Sequence, residues 1–372
     1  MRAVVSEGRM KARQAVTPRL SLSMRACAGA AAVVAVAAVA TGCSSSSSGG
    51  APSAQTLAVT PAVVSAGCQG GAAPSGRTDG HFVATNGKSG DYTVAVPAAA
   101  AGKPLPLVFE LHGYLEPAVM VDQGSRLSNY GMQQGFITVL PELDESGPPR
   151  WATVPNSPDV AWISELLTHL ESKLCVDERR VYSTGLSMGA TMSSTIACEL
   201  SSRIAAVAPI AGVQAYTWCK PQRAVPVVAF HGTADPYIAY TGGPGPEGMM
   251  LPAPGHPGKT VGQVLKEDPG AAGIIVGQSI PGQVATWAKR NGCSTPAANT
   301  TVTSDVTLIA YPCPADASVE LYRVKAGGHT WPGGVPGIYP GEVVGHMTHS
   351  ISADKIMWAF FKAHPLTGPI GS

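Results

Sequence analysis

Residues 180–190 read RVYSTGLSMGA. The run Arg180–Thr184 is typical of a buried strand, and the segment Ala190–Leu200 behind it is typical of a helix. Between them lies Gly185-Leu186-Ser187-Met188-Gly189, a G-x-S-x-G motif that marks a nucleophile elbow when it joins a strand to a helix. Glycine is common in this chain, at 43 of 372 residues, so a G-x-S-x-G match could arise by chance. The prediction of an elbow therefore depends more on the flanking strand and helix than on the motif itself.

The elbow explains both glycines and the position of the serine. Side chains on either side of Ser187 would clash in so sharp a bend, and the turn puts the Ser187 hydroxyl at a helix N-terminus, where the helix dipole favours negative charge. A serine hydroxyl is a poor nucleophile until a base takes its proton. The motif therefore predicts an acid and a histidine further along the chain, in that order and just past strand ends.

Both partners occur at such positions. Asp235 follows the predicted strand Pro226–His231, and His329 follows the predicted strand Val319–Val324 on a glycine-rich loop. Taken singly, Asp235 is also explained as a turn residue before a proline, and His329 as a surface histidine. The order Ser187, Asp235, His329 at three strand ends favours a catalytic triad.

Two further histidines compete with His329 for the role of base. His346 and His349 lie in the loop before the last predicted helix. His112 and His231 end earlier strands, each before a glycine, and we interpret them as residues that shape those strand ends.

An oxyanion hole needs two N–H donors, one directly after the nucleophile and one from the loop after the third strand. The first is the Met188 N–H. The loop begins His112-Gly113-Tyr114, and we assign the second donor to the Tyr114 N–H, with Gly113 as the alternative.

Short apolar runs alternate with helical segments from about residue 81 onward. This order predicts an α/β fold with a mostly parallel central sheet flanked by helices. The first two strands are expected to pair as an antiparallel hairpin at the sheet edge. In Asp159–Leu174 apolar residues recur every three or four positions, and Asp159 is placed to cap that helix. The predicted strands are His81–Thr85, Tyr92–Val96, Leu107–His112, Phe136–Leu140, Arg180–Thr184, Ala205–Ile210, Pro226–His231 and Val319–Val324. The predicted helices are Val119–Gln134, Asp159–Leu174, Ser187–Leu200, Pro281–Arg290 and Ala353–Ala363.

The N-terminus predicts export. Residues 1–42 combine a basic start with a short apolar run, as a signal peptide does. Ala40-Thr41-Gly42-Cys43 resembles a bacterial lipobox, which implies cleavage before Cys43 and lipid on its sulfur; the alternative is an ordinary secretory signal. Residues 43–67 are interpreted as a flexible tether and 68–372 as one catalytic domain. We expect an extracytoplasmic protein, either a membrane lipoprotein or secreted.

Composition and charge exclude several classes. A hydrophobic share of 45% excludes wholesale disorder, and a net charge of +1 gives no basic excess for nucleic-acid binding. Residues 1–42 hold six of the 25 basic residues and one of the 24 acidic ones, so the remainder is near −4. We expect a monomer whose contact with a membrane is the lipid anchor alone.

Six cysteines remain after Cys27 and Cys43 are set aside, and an even number in an exported chain suggests disulfides. Cys293 and Cys313 are the favoured pair because both fall in one hairpin-like stretch. The other four, Cys68, Cys175, Cys198 and Cys219, allow three pairings. A zinc site is the weaker interpretation, because no CxxC or His-paired spacing occurs.

The segment 241–277 interrupts the alternation of strands and helices with many Gly and Pro residues. Loops of this length are usually functional or disordered. It is interpreted either as an insertion over the site or as a disordered surface loop.

With these residues in place, the chain resembles the secreted polyhydroxybutyrate depolymerase and feruloyl esterase group of α/β-hydrolases, including actinobacterial lipoprotein esterases. The resemblance spans about Gly67 to His364. It is carried by Leu111-His112-Gly113, Trp151 with Asp159-Val160, Arg180-Val181-Tyr182 leading into Gly185-Leu186-Ser187, Ala206-Val207-Ala208-Pro209, His231-Gly232-Thr233-Ala234-Asp235, Trp287-Ala288 with Asn291-Gly292-Cys293, and Gly328-His329-Thr330-Trp331-Pro332-Gly333.

The resemblance implies an α/β-hydrolase fold, a triad of Ser187, Asp235 and His329, and ester hydrolysis without metal or organic cofactor. It also implies that Trp151 and Trp331 bind a small or oligomeric ester. Two stretches depart from the family pattern, Ser187-Met188-Gly189-Ala190 at the elbow and Tyr114-Leu115-Glu116 after His-Gly, and both bear on the acyl side of the site. The leading hypothesis is a serine esterase. The alternatives are an acyltransferase on the same scaffold and a non-catalytic solute-binding lipoprotein.

Overall fold

A computed structural model describes residues 60–70, 75–98, 102–268 and 277–371, all within the compact unit Ala58–Ser372. The signal segment, Cys43 and most of the tether lie outside the described residues. Across the described ranges, no helix has the length and apolar character needed to cross a membrane.

Within the described ranges, ten strands form one sheet. In chain order they are β1 Gly76–Val83, β2 Ser89–Val96, β3 Leu105–Leu111, β4 Ile137–Leu143, β5 Val176–Leu186, β6 Ala206–Ile210, β7 Val227–Gly232, β8 Ala298–Thr301, β9 Val306–Ala310 and β10 Val319–Val324. The helices are α1 Ala118–Ser125, α2 Leu127–Gln134, α3 Pro158–Lys173, α4 Met188–Glu199, α5 Pro246–Met250, α6 Val261–Glu267, α7 Ile280–Arg290, α8 Gly341–Val344 and α9 Ala353–Ala363, with a short 3₁₀ turn at Ala66–Gln69.

The sheet is parallel at its centre and antiparallel at both edges. Its spatial order is β1-β2-β4-β3-β5-β6-β7-β10-β9-β8. The strands from β4 to β10 in that order pair in parallel, while β1–β2–β4 and β10–β9–β8 pair antiparallel. The predicted α/β class, with a mostly parallel sheet and an edge hairpin, is confirmed.

The core divides between the two faces of the sheet. Successive residues of a strand point to opposite faces, and Val207 and Val227 accordingly join one buried cluster, whereas Ala208 and Val228 join the other. Helices α3, α4 and α7 cover the first face, and α2 and α9 cover the second. Because both faces are covered, the central strands read as continuous apolar runs.

The structure has two helices, α1 and α2, where the sequence predicts one. The segment Val119–Gln134 breaks at Arg126, whose φ of 61° is left-handed. Local side chains compete with the helical ladder there: Ser125 Oγ accepts from Leu127 N at 3.0 Å, and Asp122 Oδ1 accepts from Ser128 N at 3.0 Å. The apolar pattern runs through this break, so the sequence did not reveal it.

The cap of α3 also differs from the prediction. Ser157, not Asp159, is the N-cap, and its hydroxyl accepts from the N–H groups of Asp159 and Val160, with Pro158 in the first turn. The Asp159 carboxylate is used elsewhere, since it accepts from Ala152 N at 2.6 Å and pairs with Lys88 Nζ at 2.7 Å.

Strands β8 and β9 were not among the predicted strands. All four residues of β8 are exposed, so it carries no apolar alternation. Disulfide Cys293–Cys313 brackets this hairpin, and it is the pair that the sequence favoured. The other bonds are Cys68–Cys175 and Cys198–Cys219, which resolves the pairing left open.

Candidate active site

Ser187 lies at the turn between β5 and α4 with φ 58° and ψ −119°. A positive φ is costly for a residue with a Cβ and persists only where the surroundings impose it. Here the Ser187 N–H donates to Ile210 O at 3.0 Å, and Ser187 O accepts from Thr191 N at 3.1 Å. The serine is thus held at the N-terminus of α4 by backbone bonds to a neighbouring strand and to the helix itself.

The motif glycines are required by the end of strand β3. A Cβ on Gly189 would lie 2.0 Å from Leu111 O, and a Cβ on Gly185 would lie 2.5 Å from the same atom. Such distances are far below van der Waals contact. Backbone therefore packs on backbone here, which brings the loop after β3 against the elbow.

Asp235 and His329 lie on loops that follow the neighbouring parallel strands β7 and β10. His329 Nδ1 is 2.8 Å from Asp235 Oδ2, and Asp235 Oδ1 accepts from the N–H groups of Tyr237 at 2.8 Å and Ile238 at 2.9 Å. Burial by itself would raise the pKa of Asp235, but His329, His231 and the hydrogen bond from the Ile238 N–H hold that pKa below its ordinary value. The carboxylate is thus stabilised in its charged form beside the imidazole.

His231 also reaches Asp235, which the sequence did not suggest. Its Nε2 lies 3.4 Å from Asp235 Oδ2 and 2.9 Å from Ile238 O. Burial lowers the pKa of His231, which favours the neutral ring. Because the Ile238 carbonyl can only accept, Nε2 is the donor in that hydrogen bond. The only available signal was its place four residues before Asp235. The competing histidines, His346 and His349, are exposed, and among the described residues Asp235 pairs only with His231 and His329.

Ser187 and the Asp235–His329 pair adjoin one pocket. Tyr237 lines that pocket together with Ser187, and the Tyr237 and His329 rings have centroids 5.0 Å apart. Among the described residues no hydrogen bond joins Ser187 Oγ to His329. Hydrogen bonds between a nucleophile and its base are often long or misaligned without substrate and tighten on binding.

The two proposed oxyanion donors, Met188 N–H and Tyr114 N–H, have no acceptor among the described residues. Gly113, the alternative donor, is occupied, because its N–H donates to Glu116 Oε2 at 2.6 Å. The loop after β3 thus leaves the Tyr114 N–H available for an incoming oxygen.

The two tryptophans expected to bind substrate lie in the interior, which corrects that prediction. Trp151 is 3% exposed; its indole donates to His112 O at 2.9 Å and packs at a tilt against the His112 ring, so it supports the loop after β3 from behind. Trp331 is 2% exposed, packs in the core under α9 and donates to Asp354 Oδ1 at 2.7 Å. Neither lines the pocket at Ser187.

That pocket is apolar and small. Its cavity volume is about 50 Å³. The residues from the sheet side are Tyr114, Ser187, Met188, Thr191, Tyr237 and Ile238, and those from the Gly/Pro-rich segment are Gly248, Leu251, Pro254 and Val261. The described part of 241–277 therefore forms one wall of the pocket through α5, α6 and the turn between them; residues 269–276 lie outside the described residues.

One group of side chains has metal-ligand spacing in the part of the chain that the structure describes. His81, Asp91 and Asp144 have ligand atoms within 4.8 Å of one another, and all three are exposed. They belong to the β1–β2 edge and the end of β4, and none of them lines the pocket at Ser187.

Residues 90–239 match the family model described as Esterase PHB depolymerase. Feruloyl esterase B of Piromyces equi is 28% identical over 248 residues, which cover 63% of this chain and 42% of that protein. Feruloyl esterase D of Neurospora crassa is 33% identical over 192 residues, which cover 48% of this chain and 64% of that protein. The chain thus spans less than two thirds of either relative.

Among solved structures, an acetyl xylan esterase from Aspergillus awamori is similar to this chain with a TM-score of 0.48 and 15% identity, covering 72% of this chain and 98% of its own.

Proposed function

We propose that this chain, whose residues 90–239 match the Esterase PHB depolymerase family model, is a carboxylic ester hydrolase that acts through Ser187, His329 and Asp235. One observation carries the proposal. A serine held in a strand-to-helix elbow shares a pocket wall with Tyr237, whose ring packs on an imidazole that is bonded to a buried carboxylate at 2.8 Å. A purely binding protein has no need of this combination.

Acylation begins when Ser187 Oγ attacks the ester carbonyl carbon while His329 Nε2 takes the hydroxyl proton. The carbonyl oxygen becomes an oxyanion and accepts hydrogen bonds from the Met188 and Tyr114 N–H groups. Collapse of the intermediate breaks the bond to the alcohol oxygen, which receives the proton from His329. Asp235 accepts from His329 Nδ1 and stabilises the imidazolium.

Deacylation repeats these steps with water. His329 takes a proton from water as the water oxygen attacks the acyl carbon, and Ser187 Oγ leaves with that proton. The products are a carboxylic acid and the free enzyme. Every proton is carried by His329.

The substrate we propose is a soluble aromatic or hydroxyalkanoate ester. The two relatives named above are feruloyl esterases, and the wall made by Leu251, Pro254 and Val261 is apolar, as a site for an uncharged acyl group requires.

We further propose that the protein is exported and held at a membrane surface by lipid on Cys43. Three disulfides support the export, since such bonds persist in oxidising compartments. Mass spectrometry of the processed N-terminus tests the anchor. A mature chain that begins at an unmodified residue other than Cys43 would exclude it.

The activity is tested with p-nitrophenyl acetate and butyrate, comparing the purified protein with Ser187→Ala. We expect turnover by the wild type and a loss of about 10⁴-fold or more in the variant. Turnover that survives Ser187→Ala, or no turnover by the wild type, contradicts the proposal. A panel of methyl ferulate and hydroxybutyrate oligomers then identifies the acyl class.

A further inference from the structure

We propose that Glu116 is a positioning residue that holds the oxyanion loop, residues 112–117, in the geometry needed for catalysis, and that Tyr339 ties this loop to the segment bearing His329. The inference rests on the proposed esterase function. It assigns a role to a side chain at the position where the sequence departs from its family.

The Glu116 carboxyl group is buried and bonded on both oxygens. Glu116 is 7% exposed. Oε2 accepts from Gly113 N at 2.6 Å, and Oε1 accepts from the Tyr339 hydroxyl. A Cβ placed on Gly113 would lie 2.6 Å from Glu116 Oε2 and 3.4 Å from Ser187 Cβ, so Gly113 lies against both the carboxyl group and the nucleophile.

These contacts orient the peptide unit that carries the second oxyanion donor. Glu116 holds the N–H of Gly113, while His112 Nδ1 donates to Gly113 O at 2.8 Å. The Gly113 carbonyl and the Tyr114 N–H belong to one planar trans peptide, so they point in opposite directions. Fixing both polar groups of Gly113 therefore fixes the direction of the Tyr114 N–H.

Tyr339 connects the oxyanion loop with the loop after β10. It lies ten residues beyond His329 in the sequence, in the connection between β10 and α8. Its ring also packs on α1, since a Cβ on Gly124 would lie 2.8 Å from Tyr339 Cε2. The hydroxyl thus bridges two loops that must keep a constant distance for Ser187, His329 and the oxyanion donors to act together.

The role is one of geometry and does not require a negative charge. Burial raises the pKa of Glu116 to about 7, while the Gly113 N–H and His329 act to lower it. The groups around it are the Gly113 N–H, the Tyr339 hydroxyl, His329 and the buried Glu110. A glutamine can still accept from Gly113 through its oxygen and pair with Tyr339 through its amide.

The test measures kcat and KM for p-nitrophenyl acetate in Glu116→Ala, Glu116→Gln and Tyr339→Phe. Removing an oxyanion donor costs about 10²–10³-fold in kcat. We expect Glu116→Ala to lower kcat by at least about tenfold with KM within twofold of wild type, and Glu116→Gln to restore kcat to within about threefold. Tyr339→Phe should fall between them.

Glu199→Ala is the matched control, because Glu199 Oε1 accepts from Asn156 N at 2.6 Å in the same kind of bond away from the pocket. We expect it to leave kcat unchanged. A wild-type kcat in Glu116→Ala, or a Glu116→Gln as impaired as Glu116→Ala, overturns the proposal. A wild type without Ser187-dependent turnover refutes the esterase function instead, so the two failures are distinguishable.

Discussion

The elbow around Ser187 and the Gly/Pro-rich segment that forms the opposite pocket wall are both rich in glycine, for opposite reasons. At the elbow a Cβ on Gly189 would meet Leu111 O at 2.0 Å. In the segment, Gly255 has no atom within 4 Å of a built Cβ and a φ of 76°, so it serves a turn. One glycine is required by packing and the other by backbone conformation.

The two regions also differ in how they are supported. The elbow lies between parallel strands covered on both faces, whereas the segment has a small core of its own in Ala253, Val261 and Val264. This difference assigns the reacting groups to the densely packed region and the shape of the acyl pocket to the loosely packed one. Substitutions should therefore affect rate in the first region and substrate preference in the second.

The largest effect is expected at the carboxylate behind the imidazole. Asp235→Asn keeps the shape of the side chain, but its amide favours the wrong tautomer of His329, so kcat should fall by about 10⁴-fold. Kinetics with p-nitrophenyl acetate measure this loss, and a urea titration checks that the fold is intact. A variant with more than a tenth of wild-type kcat would show that another group orients His329.

A methyl group at the elbow should reduce both rate and stability. Gly189→Ala forces the end of β3 away from α4, and overpacking of this kind costs about 1–3 kcal/mol in the free energy of unfolding. We expect lower kcat and a lower urea midpoint. Gly341→Ala is the control, because a Cβ there meets nothing within 4 Å. If the two variants had the same kcat and the same urea midpoint, the claim that packing requires Gly189 but not Gly341 would be wrong.

In the segment, a truncation should change preference and leave the chemistry alone. Leu251→Ala shortens a side chain of the pocket wall and so enlarges the pocket. The ratio of kcat/KM for p-nitrophenyl butyrate over p-nitrophenyl acetate should therefore rise about tenfold, since one methylene in a hydrophobic pocket changes kcat/KM by about 10–200-fold. Leu265→Ala is the control, because Leu265 packs on the same small core without lining the pocket. A fall in rate on both esters with no change of ratio would contradict the division of roles.

The smallest effect concerns the pH dependence of stability. Burial raises the pKa of Glu116 from 4.5 to about 7, so the folded state binds this proton more tightly than the unfolded state does. The resulting stabilisation is complete below about pH 4.5 and is lost as the pH rises to about 7. Glu116→Gln removes this dependence, so its Tm relative to wild type should rise by on the order of 2 °C from pH 5 to pH 8.

Differential scanning calorimetry at the two pH values measures that shift. Glu267→Gln, on an exposed side chain of α6, is the control and should show a constant difference. A relative Tm of Glu116→Gln that falls as the pH rises would mean that the ionised carboxylate is the stabilising form.

Much of the fold was predictable because the central strands are buried on both faces and stand out as apolar runs. Sequence could not locate β8, since all four of its residues are exposed and show no apolar alternation. It could not locate the break at Arg126 either, since side chains that form local hydrogen bonds leave the apolar pattern intact. The order Ser187, Asp235, His329 was readable because each follows a strand. The contacts of Glu116 with Gly113 and Tyr339 join residues 223 apart at most and leave no periodic signal.

The sequence by itself determined the α/β class, the elbow and the order of the proposed catalytic residues, because local patterns of apolar residues and glycines encode strands, helices and tight turns. Only the tertiary structure decided the environments of these residues. It buried Trp151 and Trp331, paired Asp235 with His329 and His231, paired the four remaining cysteines, and placed Leu251 and Ser187 in the lining of one pocket. Those outcomes depend on which strand ends lie next to each other in the sheet. A local sequence pattern cannot predict them, because it carries no information on the distance between residues that are far apart in the chain.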